Sequence, residues 1–370
     1  DGLQINNGSK IGGTIDWTTY ELTVSGGDTV TLSYTKDFMD DSGSDCVWLK
    51  NFAVEPAVVP TEPAKSGDTY LIGTMAELLW FAEAVDGGQT TINGKLTANI
   101  DLNSKTWTAI GSNTQPFAGT FDGGRYTISG LVGSNGLFGY VAAGGTVKNV
   151  SLDCNITDAP SNVGGIASTN YGTIENCLVS GSITSNCNDR TGTGGIAGRS
   201  MSGSVIRGCV NTASVTDGYT PTGFYGAANH VGGIAGYTSG TVESCYSTGT
   251  VSVKIEKVIY AQIGGLIGSI NSGAEVRNSY TIGAVDVKAD NKFGAFAGTV
   301  STSASVANCY YVTADGIAAV ASGSSNGIGG VTADTLKTDD MAYKLGMHKD
   351  TGSINNGFPV QPWQGGTAPD

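Results

Sequence analysis

The feature that most constrains this chain is a glycine-punctuated unit that returns about every 30 residues. Asn135-Gly-Leu-Phe-Gly139, Gly164-Gly-Ile-Ala167, Gly194-Gly-Ile-Ala-Gly198, Gly232-Gly-Ile-Ala-Gly236, Gly264-Gly-Leu-Ile-Gly268 and Gly294-Ala-Phe-Ala-Gly298 align. Their second positions lie 29, 30, 38, 32 and 30 residues apart. Downstream in each unit stands an aliphatic column: Val147, Ile174, Ile206, Val242, Val276 and Val306. Three residues later comes a column of Val150, Cys177, Cys209, Cys245, Ser279 and Cys309. Six further on stand Ile156, Ile183, Val215, Val251 and Val285, with Asp315 breaking the pattern in the last unit. A unit this short cannot bury its own apolar face, so neighbours must stack. Aligned columns then become ladders, one strand spacing (~4.8 Å) per rung.

An offset of three cannot fit one flat strand, because side chains alternate with period two. A corner is therefore expected just before the third column, where Asn149, Asn176, Asn278 and Asn308 stand. Asparagine tolerates the left-handed backbone that such a corner needs. Glycine fills 57 of the 370 positions with no collagen period, and recurrent aliphatics argue against disorder. The fold expected is all-β: a right-handed parallel β-helix over 131–315, with 70–130 as first coils and N-terminal cap and 316–370 as C-terminal cap.

The flanks read differently. Residues 1–55 suggest a small antiparallel β region, with Trp17–Val24 and Thr29–Thr35 joined by a glycine turn and a further strand from Cys46 to Val54. Residues 56–69, with three prolines, read as a linker. Thr74-Met-Ala-Glu77 is a capping box opening an amphipathic helix that ends near Asp86. Its Leu78, Leu79, Trp80 and Phe81 are expected to cover the first coil's open end. Residues 333–346 and Phe358–Trp363 are expected to close the other end.

The phrases Gly232-Gly-Ile-Ala-Gly236 and Val242-Glu-Ser-Cys245 resemble the GLUG repeat, as do the flanks Ala98–Leu102, Trp107–Gly111, Phe117–Gly123 and Gly357-Phe-Pro-Val360. The likeness covers roughly residues 70 to 365. It implies a secreted or surface-displayed bacterial protein, with functions from adhesins to segments of surface proteases. Tyr34–Asp37 and Asp45–Trp48 look like the closing strands of a jelly-roll module.

A formal charge of −13 excludes phosphate neutralisation, so no nucleic acid partner is expected, and an anionic membrane surface is disfavoured. No apolar run reaches the ~20 residues of a membrane span. The chain opens at Asp1, so a processed protein or an excised segment is expected. Four cysteines share the inward column with valine and serine, which marks them as buried thiols rather than half-cystines. Cys46, Cys154 and Cys187 fall off that column. There is no His-Glu-x-x-His or Cys-x-x-Cys.

The longest variable segments share one place in the unit, before the paired glycines, and stacking would align them along one edge. A glycan or protein contact is expected there, on Tyr219, Phe224, Tyr225, His230, Tyr260, Asp189 and Asp217. Aromatic faces suit sugar rings, and paired carboxylates there would instead suit a carbohydrate-active enzyme. Asp37, Asp40, Asp41 and Asp45 form a candidate calcium loop, the one cofactor the sequence suggests. The expected protein is thus a monomeric, extracellular, non-catalytic adhesin or stalk.

Overall fold

The computed structural model describes the backbone of Gly2–Ile5 and Leu32–Thr35, and residues 58–186, 191–218, 229–254, 261–287, 293–314 and 316–369. The chain divides into two compact units, Asp1–Val59 and Pro60–Asp370. In the first, Gly2–Ile5 pairs antiparallel with Leu32–Thr35. The other strands and the acidic cluster expected in residues 1–55 lie outside the described residues.

The second unit is a parallel β-helix. Among the described residues each complete coil passes through four sheets. Sheet A holds Val163–Gly164, Gly192–Gly194, His230–Gly232, Gln262–Gly264 and Phe293–Gly294. The Gly-Gly turn leads to sheet B, whose strands run from Phe138–Val141 through Ala197–Ser200 and Ala235–Thr238 to Val320–Gly323. Sheet C carries the aliphatic ladder, and sheet D begins at or just after the cysteine column and carries the column that follows it.

The columns stack in register. Phe121, Val147, Ile174, Ile206, Val242, Val276 and Val306 pair one to the next. So do Ile156, Ile183, Val215, Val251 and Val285. The corner is left-handed in every coil: φ is 55° at Asn149, 53° at Asn176, 60° at Gly208, 49° at Ser244, 53° at Asn278 and 54° at Asn308. Asparagine is the common solution, while glycine removes the Cβ clash altogether. The paired glycines answer a different demand. A Cβ on Gly194 would lie 2.2 Å from the Ala197 carbonyl oxygen, so backbone occupies that space.

The thiol file is buried and free: Cys177, Cys209, Cys245 and Cys309 carry no disulfide. Each Sγ donates to the carbonyl two residues earlier, across the corner: Glu175, Arg207, Glu243 and Ala307, at 3.2–3.3 Å. Ser279 Oγ makes the same bond to Arg277 at 2.9 Å. A small side chain with one donor fits the site, so cysteine and serine interchange there. Burial pushes the Cys177 and Cys209 thiols well up, and that of Cys309 to about 12. Cys154 lies in the sheet D strand Ser151–Ala159, buried beside Gly181, and burial raises it to about 12.

The helix Met75–Asp86 has the expected capping box, with Thr74 Oγ1 accepting from Glu77 N and Glu77 Oε2 from Thr74 N. Gly94 sits opposite Phe121 at the head of the aliphatic ladder and leaves that rung without a side chain. Phe81 fills it; a Cβ on Gly94 would lie 2.9 Å from the Phe81 ring.

Two expectations need correction. The segment 56–69 is not all linker, because Ala64–Ser66 forms a hairpin with Thr69–Ile72 that starts sheet C. At the far end Val320–Gly323 and Ile328–Val331 add the last strands of sheets B and D, but the residues after them, expected to close that end, pack laterally. The short helices Ala333–Leu336 and Asp339–Leu345, with Met347, Phe358 and Trp363, pack on the outer face of sheet D against Val210, Tyr246 and Tyr280. Those outer residues form a file, Leu178, Val210, Tyr246, Tyr280 and Tyr310. An apolar file on an outer face must be covered, and the last residues of the chain do so as a lateral strap.

Candidate functional site

The expected loop edge is described only at its roots. Tyr219, Phe224, Tyr225, Tyr260 and Asp189 lie outside the described residues, as do Asp37, Asp40, Asp41, Asp45, Cys46 and Cys187. Asp217 is fully buried and accepts from Asn229 Nδ2 at 2.8 Å, tying together the two stems of the longest insertion. Among the described residues no group of three or more His, Cys, Asp or Glu side chains is placed to hold a metal ion.

His230 does stand in an assembled cluster. On the outside of sheet A, Gly192, His230 and Gln262 are neighbours in register. On sheet B beside them, Thr169, Arg199, Tyr237 and Ser269 are neighbours likewise. His230 Nδ1 is 3.0 Å from Gln262 Oε1, and its ring stands edge-on to Tyr237 at 5.6 Å. The Arg199 guanidinium lies over the same Tyr237 ring, 4.5 Å from its centroid.

A concavity arises where the strap crosses sheet C and its corners. This cleft, about 560 Å³, is walled by Trp363 and Gln361 from the strap and by Arg125, Asn176, Arg207 and Glu243 from the body. Trp363 Nε1 donates to Gly208 O at 2.9 Å, and Gln361 Nε2 to Ser244 O at 2.7 Å, so the left-handed corners serve as docking points. Arg125 Nη1 donates to the Trp363 carbonyl, with its guanidinium 5.8 Å from the indole centroid. Glu243 is paired with Arg277 at 3.0 Å, and Arg207 with Glu175 at 2.5 Å.

Those pairs belong to a ladder: Lys95, Asp122, Lys148, Glu175, Arg207, Glu243 and Arg277 are successive neighbours in register, with alternating sign. Alternation gives every rung an opposite neighbour and disfavours slippage by one coil. The sequence carried this signal one residue after the aliphatic column. The cleft had no comparable signal, since its walls are joined from positions 238 residues apart.

Comparison with known proteins agrees with this architecture. The GLUG motif matches residues 227–252, which run from the end of the long insertion to the Val251 rung. A provisionally named Gly-rich membrane protein of Evansella cellulosilytica is 36% identical over 93 residues, and halomucin of Haloquadratum walsbyi 30% over 158. These alignments take in 23% and 37% of the chain but only 11% and 2% of the relatives, so the chain matches small parts of much longer proteins. A crystal structure from Bacteroides ovatus, provisionally assigned as an immunoglobulin A1 protease, superimposes with a TM-score of 0.64. It covers 83% of this chain and 96% of its own at 22% identity, which speaks for the fold alone. Among the described residues no helix is long and apolar enough to cross a membrane. The described part of the matched segment, 229–252, forms one coil and its neighbours repeat the same register, so the chain carries a GLUG motif within a parallel β-helix.

Proposed function

We propose that this chain is a non-catalytic, extracellular display module, a β-helical spacer that holds a glycan in the strap cleft. The observation that carries the reading is the cleft itself: the Trp363 indole, the amides of Gln361 and Asn176, and two arginines, Arg125 and Arg207, line about 560 Å³ beside a laddered body. Sugar rings stack on aromatic faces, and a few placed polar groups fix their orientation. A hydrolase or lyase would need two carboxylates facing one bound sugar. Among the described residues the one carboxylate lining the cleft is Glu243, and Arg277 holds it. The ladder offers a monomeric rod whose coils cannot shift independently, which suits an adhesin or stalk.

A glycan-array screen with and without calcium tests this reading, repeated with Trp363→Ala and Arg125→Ala. Binding that falls at least about tenfold in the variants, at unchanged melting temperature, supports it. New reducing ends released from a bound glycan would replace it with the enzyme reading. Calcium dependence would draw in Asp37, Asp40, Asp41 and Asp45.

A further inference from the structure

We infer that the glycan of the strap cleft is an acidic one, whose carboxylate or sulfate group is met by Arg125 with Arg207 beside it; this rests on the glycan reading of that cleft. Among the described residues three charged side chains line the cleft: Arg125, Arg207 and Glu243. Glu243 is held by Arg277 at 3.0 Å. Arg207 gives Nε and Nη2 to a single oxygen, Glu175 Oε2, and its Nη1 has no acceptor among the described residues. Arg125 is the cation left over, since no described carboxylate pairs with it. Both arginines are exposed, so an anion can reach them without displacing protein.

Arg125 is also held in place. Its Nη1 donates to the Trp363 carbonyl, and its guanidinium lies 5.8 Å from the indole centroid. The edge made by Nε and Nη2 has no described protein acceptor, and such an edge is the fork that takes both oxygens of a carboxylate or sulfate. The backbone of Arg125 is left-handed, with φ 68°, where glycine or asparagine would sit at lower cost, so the position is kept for its side chain. A neutral sugar could stack on the indole but would leave the fork to water. An anion turns it into charge-assisted bonds, about twice as strong as neutral ones. In a chain of net charge −13, a wall with more arginine than carboxylate is a local exception that draws an anionic ligand.

Titration of the full chain with oligogalacturonate, its methyl ester, dextran sulfate and neutral dextran tests the inference, following the Trp363 indole N–H resonance, which Trp363→Phe identifies. At least one charged probe should shift that resonance saturably and bind at least about tenfold more tightly than its neutral counterpart. The carboxylate and sulfate arms distinguish the two sources of the anion. Added salt should weaken the charged probe far more than the neutral ones. Arg125→Gln should erase the preference for acid over ester, whereas an arginine that only fastened the strap would leave that preference intact. Should Arg125→Gln fail to fold, the comparison of acid with ester on the unmodified chain still decides. Neutral probes that bind at Trp363 as tightly as charged ones overturn the inference while the glycan reading stands, and so does a preference that survives Arg125→Gln. No shift with any probe overturns it too, and an array without hits that depend on Trp363 would then remove the glycan reading as well.

Discussion

The two ends of the β-helix use similar apolar residues in different ways. At the N-terminal end, the helix Met75–Asp86 enters the first coil, and Phe81 completes the aliphatic ladder where Gly94 has no side chain. Toward the C-terminus, Leu336, Met341, Leu345 and Phe358 turn away from the core and cover the tyrosine file outside sheet D. The first arrangement belongs to the core that every coil shares. The second is added cover, and its hydrogen bonds to the body all involve a side chain, such as Tyr246–Gln364 and Tyr280–Pro359. Backbone ladders bind strand to strand, whereas side-chain attachment can release without unstacking a coil.

The largest effect that would break this comparison lies at the cap. Phe81→Ala should cost about 3–5 kcal/mol, as for a fully buried aromatic, and should promote aggregation through the uncovered coil end. Urea unfolding and light scattering measure both, and a loss near zero would remove the helix from the core. The strap should respond locally. Tyr280 Oη donates to Pro359 O and accepts from Asn355 Nδ2, so Tyr280→Phe removes two buried bonds, leaves those partners only their mutual 3.4 Å contact, and should cost about 1–3 kcal/mol. Limited proteolysis should then cut within 333–369 while the coils stay resistant.

Acid sharpens the difference next. Burial raises the Asp350 carboxyl, but four backbone N–H groups, from Gly352, Ile354, Asn355 and Gly357, outweigh it and hold the group below its ordinary value. A depressed carboxyl contributes stability above the unfolded value of about 3.9, and that contribution is lost as pH falls through and below it. Because Asn355 also bonds Tyr280, the strap should loosen below about pH 4. Asp350→Asn should loosen it already at neutral pH and flatten the acid dependence, as proteolytic sensitivity would report.

The smallest effect is expected inside the shared core. Cys245→Val should cost under about 1.5 kcal/mol, a near-isosteric change that forfeits one weak S–H bond. The unmodified thiols of Cys177, Cys209 and Cys245 should all react after denaturation without reductant. A mapped bridge between any two would contradict the file.

What could be read in the sequence followed its period. The Val147–Val306 ladder, the cysteine file and the left-handed corners each recur at fixed offsets, so stacking alone implies them. The capping box of Thr74 and Glu77 is a local signal of the same legible kind. The strap was not legible as such, because Trp363 meets Gly208 across 155 residues of sequence. A trace of it stood one residue after the cysteine column, where Val210, Tyr246, Tyr280 and Tyr310 make an outer face apolar. At the loop edge, His230 was singled out for its place beside the insertion. Tyr237 lies on the next regular strand of the same coil and Arg199 on the strand stacked beside it, and both look ordinary until the coils stack.

Hydrogen exchange resolved by residue on the full chain tests the contrast between ladder and strap most directly. Amides bonded between coils across 146–307 should exchange only through global unfolding, at one shared free energy. Amides within 339–367, including the His348–Val360 and Lys349–Thr367 bonds, should exchange through a separate opening of lower free energy. A single free energy for both regions would contradict the account and make the strap an integral part of the helix.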